Sequence, residues 1–303
     1  MFPKFKLSFV ALLVVVYGCA QRNLHTSLRP QMQVQGLRQT VLAVYEPWFG
    51  DRDHMDVGYS SHDPVLLSAQ VKQAQSLGIH GFVVDWYGAE KPYMDETLQT
   101  LSDTTQGTDF QLAIMYDQIA KPDVDMTARA ISDLDLAYGK YIRPEAPASH
   151  NYLHYNGRPL IFIWPNGANT DWDAVKRHVE GWPEQPLLIF KDQETKNSSL
   201  PADGFYAWIH PGSKGWSRDG SEWGEEYLQN FYARMRNQFP DRLAIGAIWS
   251  RFDDRNARWG ESRYMSGRCG RTLHQTLEEF RQNAGNDPFL LIATWNDYEE
   301  GTA

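Results

Sequence analysis

His80-Gly81-Phe82-Val83-Val84-Asp85-Trp86-Tyr87 is a short apolar run without alternation, and it ends in an acid followed by two aromatics. A strand with one wet face alternates apolar and polar residues. A run that does not alternate is covered on both faces, as strands of a parallel sheet are. Similar runs recur at Val41–Trp48, Phe110–Tyr116, Pro159–Trp164, Pro186–Phe190, Gly204–Trp208, Leu243–Trp249 and Phe289–Trp295. Between most of them lie stretches with helical periodicity. The first opens on Asp63-Pro64, a capping acid followed by proline at the first helical position, and stops at Gly78. Others cover Tyr93–Thr105, Met126–Tyr141, Asp171–Val179, Gly224–Phe239 and Thr272–Ala284. Eight strands joined by crossovers predict a (β/α)8 TIM barrel over residues 40–303, right-handed at each βα step. Two irregularities are expected. The connection from Lys191 to Asp203 is too short and polar for a full helix. The chain also stops at Ala303, directly after the eighth run, so the final helix is missing; we expect a chain cut short there rather than a barrel left uncovered.

The first residues read as a targeting segment. Lys4 and Lys6 precede an apolar run from Leu7 to Val16, too short to span a bilayer and laid out like the core of a signal peptide. Val16-Tyr17-Gly18-Cys19 resembles a bacterial lipobox, which implies a signal over residues 1–19, a lipid on Cys19 and a polar tether over residues 20–39. The protein is then expected in the cell envelope, periplasmic or on the outer surface, held to the membrane by that lipid. A plain secretory signal with an incidental cysteine is the other reading. Either way Cys269 is the only cysteine in the barrel, so no disulfide is expected within it.

A net charge of −9, with no cluster of Lys and Arg, argues against nucleic acid, which is bound through basic surface. The load of 11 Trp and 15 Tyr suits either an aromatic core or a site that grips sugars on flat rings. Position favours the second. Active sites of such barrels occupy the carboxyl ends of the strands. Those ends read Tyr45-Glu46-Pro47-Trp48, Asp85-Trp86-Tyr87, Tyr116-Asp117, Trp164-Pro165-Asn166, Lys191-Asp192, Trp208-Ile209-His210, Trp249-Ser250-Arg251 and Trp295-Asn296-Asp297. Nearly every strand delivers an aromatic and a polar residue at one level. Trp48, Trp86, Trp164, Trp208, Trp249 and Trp295 are therefore candidate platforms for a glycan, with Tyr87, Tyr116 and Asn296 beside them. Asp85 and Asp117 either bind sugar hydroxyls or pair with a basic residue across the mouth. His210 either positions a hydroxyl or is structural. No HExxH, CxxC, phosphate-cradling glycine pattern or spaced histidine pair occurs, so no metal or other cofactor is expected, and no protein partner is evident.

Cleaving a glycoside needs one carboxylic acid for the leaving oxygen and a second carboxylate as base or nucleophile. Asp297 and Glu300, three apart in the turn after the last strand, can face one cleft. Glu299 should then point away, and Gly301 permits the tight turn. The run Leu291-Ile292-Ala293-Thr294-Trp295-Asn296-Asp297-Tyr298-Glu299-Glu300-Gly301-Thr302 resembles the eighth strand of glycoside hydrolase families 71 and 99, endo-α-1,3-glucanases and endo-α-mannosidases on (β/α)8 barrels. Tyr45-Glu46-Pro47-Trp48-Phe49-Gly50 is similar to the opening of family 99, and Gly78–Tyr87, Asp203–Tyr206 and Asp253-Asp254-Arg255 with Gly270-Arg271 resemble further segments of it. The resemblance implies an endo-acting hydrolase of an α-linked glucan or mannan, with Glu300 as general acid and Asp297 as the other carboxylate. In family 99 that carboxylate deprotonates the sugar 2-hydroxyl; in family 71 it activates water. Asp297 stands where family 99 commonly has Glu, and Glu46 where it has Tyr. We expect Glu46 to be ion-paired with Arg251 or Arg271, although an unpaired acid there would raise its neighbours' pKa. A glycan-binding lipoprotein without turnover remains the alternative. An esterase or deacetylase lacks its nucleophile elbow or metal ligands.

Overall fold

Runs rich in Val, Ile, Leu and Phe become strands because both of their faces can be buried. They are β1 (Thr40–Tyr45), β2 (Gly81–Trp86), β3 (Gln111–Asp117), β4 (Arg158–Trp164), β5 (Leu187–Lys191), β6 (Gly204–Tyr206), β7 (Leu243–Ile248) and β8 (Phe289–Ile292). The structure is a computed structural model that describes residues 39–303 except Pro122 and Ala168. The proposed signal, Cys19 and the tether up to residue 38 lie outside the described residues. Each strand pairs in parallel with the next, β3 pairs with β4, and β8 pairs with β1 (Thr40↔Phe289, Ala43↔Ile292), so the sheet closes into a barrel of eight strands. Closure leaves the eight barrel strands without an open edge.

The helices follow their signals. Helix α1 (Pro64–Ser76) starts at Asp63, whose carboxylate accepts from the Val65 and Leu66 amides, and ends at Gly78, at φ +82°. Next come α2 (Pro92–Thr105), α3 (Thr127–Ala137), α4 (Trp172–Val179), α5 (Glu225–Gln238) and α6 (Arg271–Asn283). The link between β5 and β6 holds only a 3-10 turn, Glu194–Ser199, as its polar sequence requires. Residues after Ile292 form turns, with no further helix among the described residues. At the amino ends of the strands, Tyr155 packs on Phe289 with ring centroids 5.6 Å apart.

Register decides which side chains reach the barrel mouth. In-register neighbours share a face, so the pairs Asp85↔Met115 and Asp117↔Trp164 put Asp85, Asp117 and Trp164 on one face. Trp86↔Tyr116 lies on the other. The second face is the helix layer, because the Trp86 Nε1 donates to Asp95 of α2 (3.1 Å) and the Tyr116 hydroxyl to Asp133 of α3 (3.0 Å).

Candidate active site

Five carboxyl groups converge on the mouth. Glu46 follows β1, Asp85 and Asp117 close β2 and β3, and Asp297 and Glu300 lie in the turn after β8. Glu46, Asp85, Asp117 and Asp297 are 3%, 6%, 8% and 3% exposed, so none is solvated by bulk water. Glu46 Oε2, Asp85 Oδ1 and Asp117 Oδ1 are buried without a hydrogen-bond partner. Leaving buried acceptors unmet costs on the order of 1–3 kcal/mol each, and such groups are concentrated at functional sites. Burial, then the charge of Asp85, pushes the Glu46 carboxyl well above its ordinary range. Burial and Asp117 do the same to Asp85, opposed by hydrogen bonds from Tyr87 and Glu46. Asp117 is pushed up to about 7 by burial, against the pull of Tyr87 and the nearby Lys191 ammonium.

The expected ion pair of Glu46 with Arg251 or Arg271 is not formed. Arg251 spends its Nε on the Gly301 carbonyl (2.6 Å), and Arg271 is exposed at the first turn of α6, in the helix layer. Glu46 faces other acids instead, with the charges of Asp85, Asp297, Glu300 and Asp117 acting on it.

The turn after β8 is held shut by its own polar groups. The Asp297 amide donates to Thr294 Oγ1 (2.9 Å), the Thr302 amide to the Asp297 carbonyl (3.0 Å), and the Thr294 and Thr302 hydroxyls meet at 2.8 Å. Gly301, at φ +61°, lets the chain reverse. Asp297 Oδ1 accepts from the Glu300 amide at 2.8 Å, so the two acids are fixed relative to each other by one short bond. Glu299 points away, as expected, and binds His54 Nδ1 and the Met55 amide, both at 2.9 Å. Burial raises Asp297 well above its usual range and raises Glu300 as well, each helped by neighbouring carboxylates. For Glu300 the indole of Trp259, donating to Oε1 at 3.0 Å, pulls the other way.

Asn296, assigned to substrate on sequence, is fully buried and serves the backbone. Its Oδ1 accepts from the Glu46 amide (2.7 Å) and its Nδ2 donates to the Glu46 carbonyl (2.8 Å), tying the end of β1 to the turn after β8. Asn296→Ala leaves both backbone groups buried and unmet. The expected cost is roughly 2–4 kcal/mol of unfolding free energy, read from urea unfolding. A loss under 0.5 kcal/mol would show that the clamp carries no weight.

The aromatics divide between mouth and core. Trp86 and Tyr116 face the helices, because the residue next to an inward acid must point outward. Trp249 is wholly buried and donates to the Trp223 carbonyl (3.1 Å), beneath the loop after β7. Trp295 packs on Phe82 (5.5 Å), which shares the helix-facing side with Tyr45, whose hydroxyl reaches Gln70 of α1. Trp86, Tyr116 and Trp249 are corrected to structural roles, whereas Trp295 stays half-buried. Trp48 stays at the mouth, stacked on His54 (4.7 Å) and edge-on to Tyr87 (6.3 Å) and Trp259 (6.2 Å). Trp164 and Trp208 meet edge-to-face at 4.8 Å and, with Lys191 and His210, line a cavity of about 460 Å³ at the ends of β4 to β6. Lys191 Nζ sits 3.4 Å over the Trp164 ring, and burial pushes it down to about 8. Sequence reasoning passed over Lys191 and Trp259. The first was visible at the end of a strand; the second lies in a loop without periodic signal. Among the described residues no group of His, Cys, Asp and Glu could hold a metal ion.

No protein-family model matches this sequence, and no curated protein matches it. Solved structures do. An endo-α-mannosidase of glycoside hydrolase family 99 from Bacteroides thetaiotaomicron, in complex with Bis-Tris-propane, superposes with a TM-score of 0.64 at 16% identity, covering 86% of this chain and 85% of that one. A second structure of that enzyme gives 0.64 at 15%, covering 86% of each chain. This chain shares the (β/α)8 fold of these two structures. A glycoside hydrolase-like protein shares it as well, with a TM-score of 0.62 at 12% identity over 87% of this chain and 86% of that one. On this barrel, Glu46, Asp85, Asp117, Asp297 and Glu300 occupy the end where strands of a (β/α)8 fold present their chemistry.

Proposed function

We propose that this protein is a glycoside hydrolase acting within α-linked mannan or glucan chains, with Glu300 as general acid and Asp297 as the partner carboxylate. One observation carries the reading: five buried or half-buried carboxyls gathered at an aromatic mouth, without an arginine or lysine bridged to Glu46, Asp85, Asp297 or Glu300 among the described residues. Structural acids are normally neutralised by such partners, as Asp254 and Asp192 are here by Arg263 and Arg234. Unneutralised carboxyls in close groups titrate as a unit and hold protons near neutral pH. A pair with a single proton supplies one acid and one base, the two states that glycoside cleavage needs. Glu300 is half-buried and opens to the mouth, whereas Asp297 is almost sealed and has Oδ1 committed to the turn. Glu300 therefore meets the leaving oxygen. Asp297 takes the proton either of a water or of the sugar 2-hydroxyl.

The choice of α-linked mannan or glucan draws on the resemblance of the turn after β8 and on the mannosidase fold. Incubation with α-mannan, α-1,3-glucan and α-1,6-glucan, with NMR of the first anomer released, tests it. Release of oligosaccharides from one polymer is expected, and the anomer separates the two routes. Binding to these glycans without any release would support the non-catalytic alternative.

A further inference from the structure

Among the described residues Trp259 is the one exposed tryptophan, at 42%, and its indole reaches the half-buried acid Glu300. We propose that Trp259 positions the carboxyl of Glu300 and offers its free ring face as the platform for the leaving-group sugar. This inference rests on the reading of Glu300 as the acid.

The position is built. Trp259 lies in the excursion after β7, whose neck is the short antiparallel pair Phe252–Asp253 and Tyr264–Met265. Asp254, fully buried, closes the neck by accepting from the Arg263 amide (2.7 Å), Arg263 Nε (2.5 Å) and the Glu261 amide (3.1 Å). Gly260 follows the tryptophan, and a Cβ there would lie 1.8 Å from the Asp254 carbonyl oxygen, so only glycine lets this turn close. The Asp253 amide donates to the Glu300 carbonyl at 2.7 Å. The excursion and the acid are thus joined twice, once through backbone and once through the indole.

The chemistry follows from which oxygen is free. Oε1 of Glu300 accepts from Trp259 Nε1 at 3.0 Å, which leaves Oε2 to carry the proton. That proton passes to the glycosidic oxygen as the bond to the anomeric carbon breaks, and the bonding pair leaves with the oxygen. Water later adds its hydroxyl to the carbon and returns a proton. The sugar that departs lies beyond the oxygen that Glu300 touches, on the side where Trp259 stands. The indole is fixed by the carboxyl and by steeply inclined ring contacts to Trp48 (6.2 Å) and His54 (5.9 Å), and its 42% exposure leaves ring surface for a sugar. An indole donor favours the ionised carboxyl, which keeps the acid from being held too weak to act.

Two variants separate the roles. Trp259→Phe keeps a ring and removes the donor; Trp259→Ala removes both. With the polymer that the hydrolysis screen identifies, Trp259→Phe should move the basic limb of the kcat/KM profile upward by roughly half to one pH unit, with KM within about twofold. Trp259→Ala should show the same shift and raise KM roughly tenfold. An unmoved limb in both variants, or an unchanged KM in Trp259→Ala, overturns the proposal. A readout free of turnover is the pH titration of intrinsic fluorescence, wild type minus Trp259→Phe. A step that disappears in the Glu300→Gln background is expected, and its absence overturns the contact. If no polymer is cleaved, the hydrolase reading falls, whereas the fluorescence step still decides whether the indole and Glu300 are coupled.

Discussion

Glu300→Gln is expected to lower hydrolysis by a factor of about 10² to 10⁴ while glycan binding persists. The amide keeps an oxygen for the Trp259 donor and keeps the side chain's length, so the turn after β8 stays in place. Only the transferable proton is lost. Asp297→Asn should fall by a similar factor for the opposite reason: it still accepts from the Glu300 amide but can no longer take up a proton. The two changes together should cost little more than either alone, because residues that act as one unit are strongly non-additive. Turnover of the cleaved polymer, beside calorimetric binding of its oligosaccharides, measures this. A Glu300→Gln rate within tenfold of wild type would remove Glu300 from the chemistry.

The second large effect concerns stability. Asp117 titrates at about 7 in the fold and near 4 when unfolded, so between these values the folded protein holds a proton that the unfolded chain has released. Its stabilising protonation is complete below pH 4 and is lost as pH rises through 7. The shift corresponds to as much as about 4 kcal/mol over that interval. Glu46, Asp85 and Asp297 are raised too and act with the same sign. Lys191, pushed down to about 8, works in the opposite direction but at higher pH. Urea unfolding at pH 5, 6 and 7 should therefore show the wild type weakening steadily, and Asp117→Asn should flatten the slope. Equal slopes for both proteins would mean that Asp117 is solvated.

The barrel was legible because its code is redundant. Eight apolar runs, capped helices and a polar link between Lys191 and Asp203 all point one way, and local signals agree with the closed sheet. The acids were legible because each stands near the carboxyl end of a strand or in the turn that follows it. The aromatics were not. Asp85 and Trp86 stand together in sequence, yet a strand sends successive side chains to opposite faces, and Trp86 goes to α2. Trp249 lies just past its strand, where that alternation no longer holds, and only coordinates show it packed into the core. Glu46 misled for an electrostatic reason. A buried acid is expected to have a cation, and one expected partner, Arg251, gives its Nε to the Gly301 carbonyl. Trp259 gave no signal, for its place depends on Asp254 and Gly260 closing a loop.

The clamp between Asn296 and Glu46 joins residues 250 positions apart. Nothing that precedes the eighth strand can complete it, so seven strands of the wall lie in the chain before the residue that closes the mouth. The acids of β1, β2 and β3 must wait, unopposed by their partners, until the two ends of the sheet meet. Ring closure and completion of the carboxyl cluster are thereby one event.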